Sequence, residues 1–301
     1  MRYRFLRLIV PIAIGLSTAG SCGVANAMDV AALSRAVSHA EASLHARIGI
    51  AMIDTGDGAT WSHNGDERFP MNSTYKAFAC AAVLSRVDAN TLNLDMMVPI
   101  DRARLVTYSP VTEKVQPGGA LSLSDLCSAA VSVSDNTAGN LVLDAIGGPS
   151  GFTEFMRSIG DRATHLDRLE PELNEATPKD VRDTTTPHAA ATDLRKLLLG
   201  HVLSAPSKRQ LSQWMVGNKV TQGLLRAGFP SDWRVADKSG AGGHGSRSII
   251  AIAWPPERAP IVVAIYITQT VAPMSRCDQT IAQLGEAIAS AIQERSTSTR
   301  K

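Results

Sequence analysis

The fold is decided by three runs near the end of the chain: Val235-Ala-Asp-Lys-Ser239, Ser248-Ile-Ile-Ala-Ile-Ala-Trp254 and Ile261-Val-Val-Ala-Ile-Tyr-Ile-Thr268. The runs are short, two of them are rich in β-branched residues, and Gly-rich and Pro-rich turns separate them, which is typical of strands. Connections this short predict antiparallel hairpins, because parallel strands need a longer crossover.

The beginning of the chain repeats this pattern. Ile48-Gly-Ile-Ala-Met-Ile53 is rich in strand-forming residues and ends at a turn cluster, and a second strand over 60–63 would complete a hairpin. Helices are predicted on the outer sides, over 29–45 and over about 275–293. The pattern predicts an α/β (α+β) fold, in which a five-stranded antiparallel sheet is flanked by the two terminal helices.

The middle of the chain is helical. Apolar faces and capping residues predict helices over 73–87, 122–132, 135–146, 149–159, 187–199 and 205–216. We therefore expect an all-helical domain that is inserted between the two parts of the sheet.

The expected domain boundaries follow from this order. Residues 28–66 and 217–295 form a discontinuous sheet domain, and 67–216 form the all-helical domain. Within the latter, about 164–186 is irregular and dense in charge and proline, which is typical of a functional Ω-loop. The polar tail 296–301 is expected to be disordered.

The first residues are typical of a secretory leader. Three arginines precede the apolar run Leu8–Leu16, which is too short to span a bilayer comfortably, and Ala25-Asn-Ala27 is a small-x-small cleavage site. Residues 1–27 are thus predicted to be a signal peptide, and the protein to be secreted to the periplasm. A competing interpretation makes Cys22 the acylation site of a lipoprotein, although the usual leucine three positions earlier is absent.

Composition excludes several classes of partner and cofactor. The chain has 30 Lys+Arg and 28 Asp+Glu, and the leader holds three of the arginines and no acid, so the remainder is nearly neutral. Such a balance gives no reason to expect binding to nucleic acid or to an anionic membrane. Neither the histidines nor the cysteines show metal-ligand spacing, so we expect no metal and no cofactor.

Ser73-Thr-Tyr-Lys76 is the first candidate for chemistry. Residues three apart share a helix face, so the Lys76 ammonium can reach the Ser73 hydroxyl, and a serine nucleophile needs such an activating neighbour. The motif alone is weak, because a helix-capping serine and a solvated lysine would give the same letters.

Two further motifs carry the same ambiguity when each is taken singly. Ser134-Asp-Asn136 lies between two predicted helices, where it can aim a hydroxyl and an amide into a cleft or merely cap a helix. Lys238-Ser-Gly-Ala241 ends a predicted strand, where backbone N–H groups suit an oxyanion hole. A strand edge protected by a charged side chain would give the same sequence.

Together, in this order, the three motifs are the signature of penicillin-recognising serine enzymes. Their spacing resembles that of class A β-lactamases, and the resemblance covers essentially the whole chain after the leader. It is densest over 108–114, 134–138, 166–174 and 182–185. The resemblance implies the β-lactamase/transpeptidase-like fold, a monomer, and β-lactam hydrolysis that confers resistance.

The resemblance also implies the catalytic roles. Ser73 attacks the lactam carbonyl, Lys76 shuttles the proton, and Ser134 protonates the departing ring nitrogen. Glu170 and Asn174 bind and activate the water that hydrolyses the ester. Whether Lys76 or Glu170 accepts the first proton is open for the family.

Substrate binding is implied for a second group of residues. The backbone N–H groups of Ser73 and Ala241 form the oxyanion hole, and Lys238, Ser239 and Arg247 hold the substrate carboxylate. The side-chain amide of the substrate is bound by Asn136, and the cleft is walled by Tyr108.

Structural features carry over as well. The Glu170-Pro171 bond is cis in the family, and Arg168 and Asp183 resemble the ion pair that closes the neck of the Ω-loop. Cys80 and Cys127 match a disulfide between two helices, which leaves Cys277 free near the last helix.

Substrate range is only partly readable. Ser239, followed by Gly242 and Gly243, fits penicillins and some cephalosporins. Asn72 stands where carbapenem-hydrolysing relatives carry a cysteine, so their extra bridge cannot form and carbapenem hydrolysis is not expected. Inhibition by clavulanate is expected.

Two other functions compete. A DD-peptidase shares the nucleophile chemistry but lacks the water site of Glu170 and Asn174. A penicillin-sensing receptor domain needs a membrane-spanning signalling segment, and the sequence offers only a cleavable leader.

Overall fold

The computed structural model describes residues 29–298, so the predicted signal peptide and Cys22 lie outside the described residues. The helices are α1 (Val30–Leu44), α2 (Tyr75–Asp88), α3 (Leu123–Ser132), α4 (Asn136–Ala145), α5 (Gly148–Ser158), α6 (Pro187–Leu199), α7 (Ala205–Val216), α8 (Leu225–Gly228) and α9 (Met274–Ser298). The strands are β1 (Arg47–Asp54), β2 (Thr60–His63), β3 (Phe69–Pro70), β4 (Met97–Pro99), β5 (Ala120–Ser122), β6 (Thr184–Thr185), β7 (Arg234–Ala241), β8 (Arg247–Trp254) and β9 (Ile261–Thr268).

The predicted five-stranded antiparallel sheet is confirmed. Its strand order is β2-β1-β9-β8-β7, and every neighbouring pair is antiparallel. The first and last parts of the chain meet in the middle of this sheet, where Arg47 pairs with Thr268 and Asp54 with Ile261. All eight residues of β9 are buried, so both faces of the sheet are covered.

The two faces carry different cores. Helices α1 and α9 cover one face, where Leu33 and Val37 of α1 lie one helical turn apart and are buried. The side chain of Asp29 accepts a hydrogen bond from the backbone N–H of Ala32, which is the predicted N-cap. The second face packs against the helical part of the chain, with Tyr266 of β9 in the same cluster as α2.

The centre of the helical part is α2, whose first ten residues are all buried. Cys80 of α2 forms the expected disulfide with Cys127 of α3, with 5.6 Å between the two Cα atoms. Cys277 of α9 is a buried free cysteine. Helix α2, which carries the lysine of the nucleophile motif, is therefore fixed by burial of its first ten residues and by the disulfide to α3.

Some boundaries differ from the prediction. The helix expected to begin at Ser73 begins at Tyr75, after a 3₁₀ turn over Asn72–Thr74. The last helix runs to Ser298, so residues 296–298 of the tail expected to be disordered are helical. No glycine or proline follows Gly285, so nothing in the local sequence ends that helix earlier.

Two short ladders were not predicted. Strand β3 pairs with β6, and β4 pairs with β5. Each strand has only two or three residues, which is too few for a periodic pattern. The division into two domains stays a prediction.

No helix of the described residues is long and apolar enough to span a membrane.

A buried carboxyl pair lies where the chain leaves α5. The carboxylate of Asp161 accepts hydrogen bonds from the backbone N–H groups of Ala163 and Thr164. Asp193 of α6 is 1% exposed, and the ammonium of Lys196 lies 3.6 Å from its carboxylate. Burial and the neighbouring charge of Asp161 raise the pKa of Asp193 to about 8.

Asp193→Asn is predicted to remove a pH-dependent loss of stability. The folded protein keeps the Asp193 proton up to about pH 8, whereas the unfolded chain loses it near its ordinary pKa of 3.8. The contribution of Asp193 to the free energy of unfolding is therefore fully present below pH 3.8. It is lost as the pH rises from 3.8 to about 8. The gain in Tm of the variant over the wild type should grow from pH 4 to pH 8 in thermal unfolding experiments.

Asp180→Asn is the matched control, because hydrogen bonds from Arg182 lower the pKa of Asp180 to about 2 and burial contributes little to that pKa. Its Tm difference from the wild type should not change between pH 4 and pH 8. An Asp193→Asn variant whose Tm difference is equally flat would contradict the assignment.

Candidate active site

A cleft of about 480 Å³ opens beside the end of β7. It is lined by Ser73, Tyr108, Ser134, Asn136, Asn174, Val220, Ser239, Gly240, Ala241, Arg247, Met274 and Asp278. Eight of the eleven residues expected to act on or bind the substrate are among them. The other three are Lys76, Glu170 and Lys238, which are buried and contact the lining residues from behind.

Ser73 and Lys76 are joined as the motif predicts. Lys76 Nζ donates a hydrogen bond to Ser73 Oγ over 3.0 Å. Ser73 lies in the 3₁₀ turn and Lys76 in the first turn of α2, so their spacing of three places both side chains on one face. The preceding Asn72 has a φ of 47°, a left-handed conformation that is uncommon for a residue with a side chain.

Glu170 completes a triangle with these two residues. Its Oε1 lies 3.0 Å from Lys76 Nζ and accepts a hydrogen bond from Ser73 Oγ at 3.4 Å. Its Oε2 accepts a short hydrogen bond from the side-chain amide of Asn174. The carboxylate of the Ω-loop is thus in contact with the nucleophile, its lysine and the asparagine expected to share its water.

The backbone of Glu170 is fixed by Asn140, one helical turn after Asn136 on α4. The Asn140 amide donates to the Glu170 carbonyl and accepts from the Glu170 N–H, both over 2.9 Å. The Glu170-Pro171 peptide bond is cis, as the resemblance implies. This two-way clamp holds the loop against the helical core at the residue that faces Ser73.

Lys76 is fully buried among acceptors. Besides Ser73 and Glu170, its ammonium contacts the Ser134 carbonyl at 2.9 Å and the Asn136 side-chain oxygen at 2.6 Å. Burial lowers the pKa of Lys76, and the charge of Glu170 opposes that shift. A lysine in this environment gives up its proton more readily than one in water.

Ser134 lies between the two lysines of the site. Its hydroxyl accepts a hydrogen bond from Lys238 Nζ over 3.0 Å, while its carbonyl contacts Lys76. Its φ is 64°, and the following Asp135 caps α4 and accepts bonds from Val111 and Thr112. These contacts hold the left-handed turn that aims the serine into the cleft.

Lys238 has the most perturbed amine of the site. Burial lowers the pKa of Lys238 well below its usual value, and the positive charges of Lys76 and Arg247 lower it further. A bound carboxylate would offset both effects. The cleft is therefore electrostatically matched to an anionic ligand.

Arg247 and Tyr108 both line the cleft. Arg247 Nη1 donates to the Gly240 carbonyl over 3.0 Å, and its Nε forms an ion pair of 2.6 Å with Asp278. Tyr108 is 55% exposed, and its carbonyl accepts a bond from the backbone N–H of Asn136. Asp278 is a lining residue that the sequence analysis did not identify.

The neck of the Ω-loop is closed as expected. Arg168 Nε lies 2.6 Å from Asp183 Oδ2, and Asp183 Oδ1 accepts the backbone N–H groups of Asp167 and Arg168. The Asp183 carbonyl accepts a bond from the N–H of Met71, two residues before the nucleophile. One buried aspartate therefore connects both ends of the loop to the segment that carries Ser73.

Residues outside the motifs complete the site. Asn140, Val220, Met274 and Asp278 contact the cleft or Glu170, and the sequence analysis did not single them out. A spacing of four from Asn136 on a predicted helix could have indicated Asn140. Over residues 29–298, no group of three or more His, Cys, Asp or Glu side chains is arranged to hold a metal ion.

Comparison with known proteins identifies the family. A model of the β-lactamase enzyme family matches residues 32–292. The chain is 56% identical over 259 residues to β-lactamase AER-1 of Aeromonas hydrophila, covering 86% of this chain and 85% of the relative. The chain belongs to the class A serine β-lactamase family.

Other class A relatives agree. β-Lactamase CARB-3 of Pseudomonas aeruginosa is 50% identical over 248 residues, covering 82% of this chain and 86% of that protein. The solved structure of an ancestral class A β-lactamase superposes with a TM-score of 0.84 at 51% identity, covering 86% of this chain and 99% of that one. The family and fold predicted from the motifs are confirmed.

Asp183→Asn is predicted to loosen the Ω-loop. The change replaces a buried charge that accepts three hydrogen bonds, and a bond to a charged group contributes about 1.5–3 kcal/mol. Thermal unfolding should show a lower Tm for the variant than for the wild type. In single-turnover kinetics, the acyl-enzyme of the variant should be hydrolysed more slowly than that of the wild type.

Arg182→Ala is the control for this test. It removes another ion pair of the same loop, between the exposed Arg182 and Asp180. Exposed pairs contribute little, so Tm and hydrolysis rate should stay close to the wild type. Equal behaviour of both variants would contradict the role of Asp183.

Proposed function

We propose that the protein hydrolyses penicillins and some cephalosporins through an ester on Ser73, and that it thereby confers β-lactam resistance. The observation that carries the proposal is the triangle of Ser73, Lys76 and Glu170 at the base of the cleft, with Asn174 on the second oxygen of Glu170. Ester formation followed by hydrolysis requires a nucleophile that attacks the carbonyl carbon and a base that activates a water to attack the same carbon.

In acylation, Ser73 Oγ attacks the lactam carbonyl carbon, and the bond from that carbon to the ring nitrogen breaks. Two groups can accept the serine proton: Lys76 at 3.0 Å and Glu170 at 3.4 Å. Ser134 returns a proton to the ring nitrogen, and its contact with Lys238 orients the hydroxyl. The developing oxyanion is bound by the backbone N–H groups of Ser73 and Ala241, which line one wall together.

In deacylation, Glu170 removes a proton from a water held between its carboxylate and the Asn174 amide. The resulting hydroxide attacks the ester carbon, and the proton returns to Ser73 Oγ as the acyl group leaves. Glu170 is 2% exposed, so little solvent competes for its carboxylate. This pair favours a lactamase over a DD-peptidase, because the rival has no equivalent group for removing the ester.

The substrate is bound by positively charged and polar side chains of the cleft. Lys238, Ser239 and Arg247 bind the substrate carboxylate, and Asn136 binds the side-chain amide. Tyr108 walls the outer side of the cleft. The protein acts as a monomer in the periplasm after loss of residues 1–27, and clavulanate, which carries the same ring and carboxylate, inhibits it.

Ser73→Ala and Glu170→Ala are predicted to separate the two steps. The first variant lacks the nucleophile and should lose both turnover and covalent labelling. The second keeps Ser73 and Lys76 but lacks the water-activating base, so benzylpenicillin should remain attached. Intact-protein mass spectrometry checks this, with one penicillin added to Glu170→Ala and none to Ser73→Ala.

Sustained turnover of nitrocefin by the wild type is the companion measurement. A stoichiometric burst without turnover would support a DD-peptidase or a sensing domain instead. An unlabelled Glu170→Ala protein, with the wild type fully active, would argue that Glu170 is needed before the ester forms.

Asp278→Asn is predicted to tighten binding of penicillins with little change in kcat. Asp278 holds Arg247 and offsets its charge, so the amide frees that charge for the substrate carboxylate. A fall in KM of about threefold is expected, because the pair is only partly buried, with the Asp278 side chain 29% exposed. The effect should disappear in an Arg247→Ala background, and its persistence there would show that the pair is not its source.

A further inference from the structure

Asn218 lies in the segment between α7 and α8, and only 2% of its surface is exposed. Its side-chain nitrogen, Nδ2, donates a hydrogen bond to the carbonyl of Asp237 over 3.1 Å. Its side-chain oxygen, Oδ1, accepts a hydrogen bond from the backbone N–H of Val220 over 3.0 Å. A buried amide is costly unless its polar atoms are paired, and both ends of this one join backbone groups. This pair of bonds is called the Asn218 clamp below.

The Asn218 clamp joins two residues that border the candidate active site. On one side, Asp237 directly precedes Lys238, whose ammonium donates a hydrogen bond to the hydroxyl of Ser134. On the other side, Val220 lines the cleft. The clamp therefore restrains the separation between one part of the cleft lining and the strand that carries the buried lysine.

Strand β7 meets the Asn218 clamp at the edge of the sheet. It is the last strand of the described five-stranded sheet, so one row of its backbone N–H and C=O groups is not paired with another strand of that sheet. Asn218 bonds to the carbonyl of Asp237. Shortly after it, Ser239, Gly240 and Ala241 line the cleft. The clamp thus holds the strand just before the groups that are expected to bind the substrate.

The strand end of the clamp is itself fixed by buried contacts. The carboxylate of Asp237 accepts hydrogen bonds from Thr221 Oγ1 over 2.8 Å and from Arg226 Nε over 2.7 Å. Arg226 Nη2 also donates to the carbonyls of Met215 and Val216, where α7 ends, over 3.1 Å each. These contacts do not depend on the clamp, so its loss should loosen the lining of the cleft and leave the strand in place.

Asn140 provides the same kind of two-way clamp elsewhere, on the backbone of Glu170. In the proposed reaction Glu170 acts on the ester, so the Asn140 clamp serves the second step. The Asn218 clamp lies near Lys238, where the substrate carboxylate is expected to bind. The carboxylate must be seated before Ser73 attacks, whereas the ester already holds the substrate covalently. The two clamps should therefore affect different steps.

We propose that Asn218 is a positioning residue for acylation, whose side-chain amide ties the Val220 part of the cleft lining to β7 and so sets the width of the end that receives the substrate carboxylate. The inference rests on the proposed function, because it assumes that a carboxylate binds beside Lys238 and that an ester forms on Ser73. Asn218 does not line the cleft itself and acts through the backbone groups that it joins.

Asn218→Ala is predicted to slow acylation and to spare deacylation. The variant removes both bonds of the clamp and leaves the contacts of Ser73 and Glu170 untouched. Single-turnover measurements with benzylpenicillin give the rate constants of the two steps separately. We expect acylation to be about tenfold slower than in the wild type, because two hydrogen bonds are lost, and deacylation to change by less than about twofold.

Asn218→Asp is the conservative variant. It keeps the shape of the side chain and the acceptor for the N–H of Val220, but an oxygen replaces the nitrogen that donates to Asp237. Acylation should therefore be about threefold slower than in the wild type, between the wild type and Asn218→Ala, with deacylation again nearly unchanged. If Asn218→Ala does not fold, this variant alone completes the test, and acylation as fast as in the wild type would contradict the inference.

Ser212→Ala is the matched control. Ser212 is a buried residue of α7, and its hydroxyl accepts a hydrogen bond from Arg234, the first residue of β7, over 2.9 Å. The variant removes a contact between α7 and the same strand, at the end of the strand away from the cleft. It should lower Tm and leave both rate constants unchanged, which separates a loss of stability from a loss of positioning.

Three outcomes overturn the inference. They are wild-type acylation in both Asn218 variants, a loss by the same factor in both steps, and an equal loss of acylation in Ser212→Ala. Each is compatible with sustained turnover by the wild type, so each contradicts the role of Asn218 and leaves the proposed function intact. A wild type that forms no ester overturns both.

Discussion

The structure depends on one buried contact, between the ammonium of Lys76 and the carboxylate of Glu170, 3.0 Å apart with both side chains fully buried. A charge moved from water to a protein interior costs several kcal/mol unless a partner and hydrogen bonds compensate it. Both groups are compensated here. Lys76 contacts Ser73, Ser134 and Asn136, and Glu170 contacts Asn174, so the pair persists only while three separate segments of the chain stay in place.

The fold keeps those segments in place. Helix α2 and the 3₁₀ turn before it supply Lys76 and Ser73 from the centre of the helical core, and β7 supplies Lys238 and Ser239 from the edge of the sheet. The Ω-loop carries Glu170 across to them and is fastened at its neck by Asp183 and at its tip by Asn140. The helices and the loop meet at this contact, and the sheet reaches it through the hydrogen bond from Lys238 to Ser134. The residues of the candidate site are therefore spread over about 175 positions of the sequence, from Ser73 to Arg247.

Much of this arrangement is readable from the chain because its signals are local or belong to a recognisable set. Strands β8 and β9 contain unbroken apolar runs, Ser73 and Lys76 have helical spacing, and three motifs occur in a fixed order. The contact of Asp278 with Arg247 and the charge interaction of Asp161 with Asp193 have no such signal, since they join elements that are distant in sequence. The same holds for the two-residue ladder of β3 and β6 and for the helical residues 296–298, where local composition favoured a disordered tail.

The most direct measurement of the central contact is a ¹³C NMR titration of Lys76 Cε, with Lys76→Arg used to assign the signal. Burial lowers the pKa of Lys76 and the charge of Glu170 opposes that effect, so Lys76 should titrate below an ordinary lysine in the wild type and lower still in Glu170→Gln. A signal that titrates like a surface lysine, or that does not respond to loss of the Glu170 charge, would contradict the account.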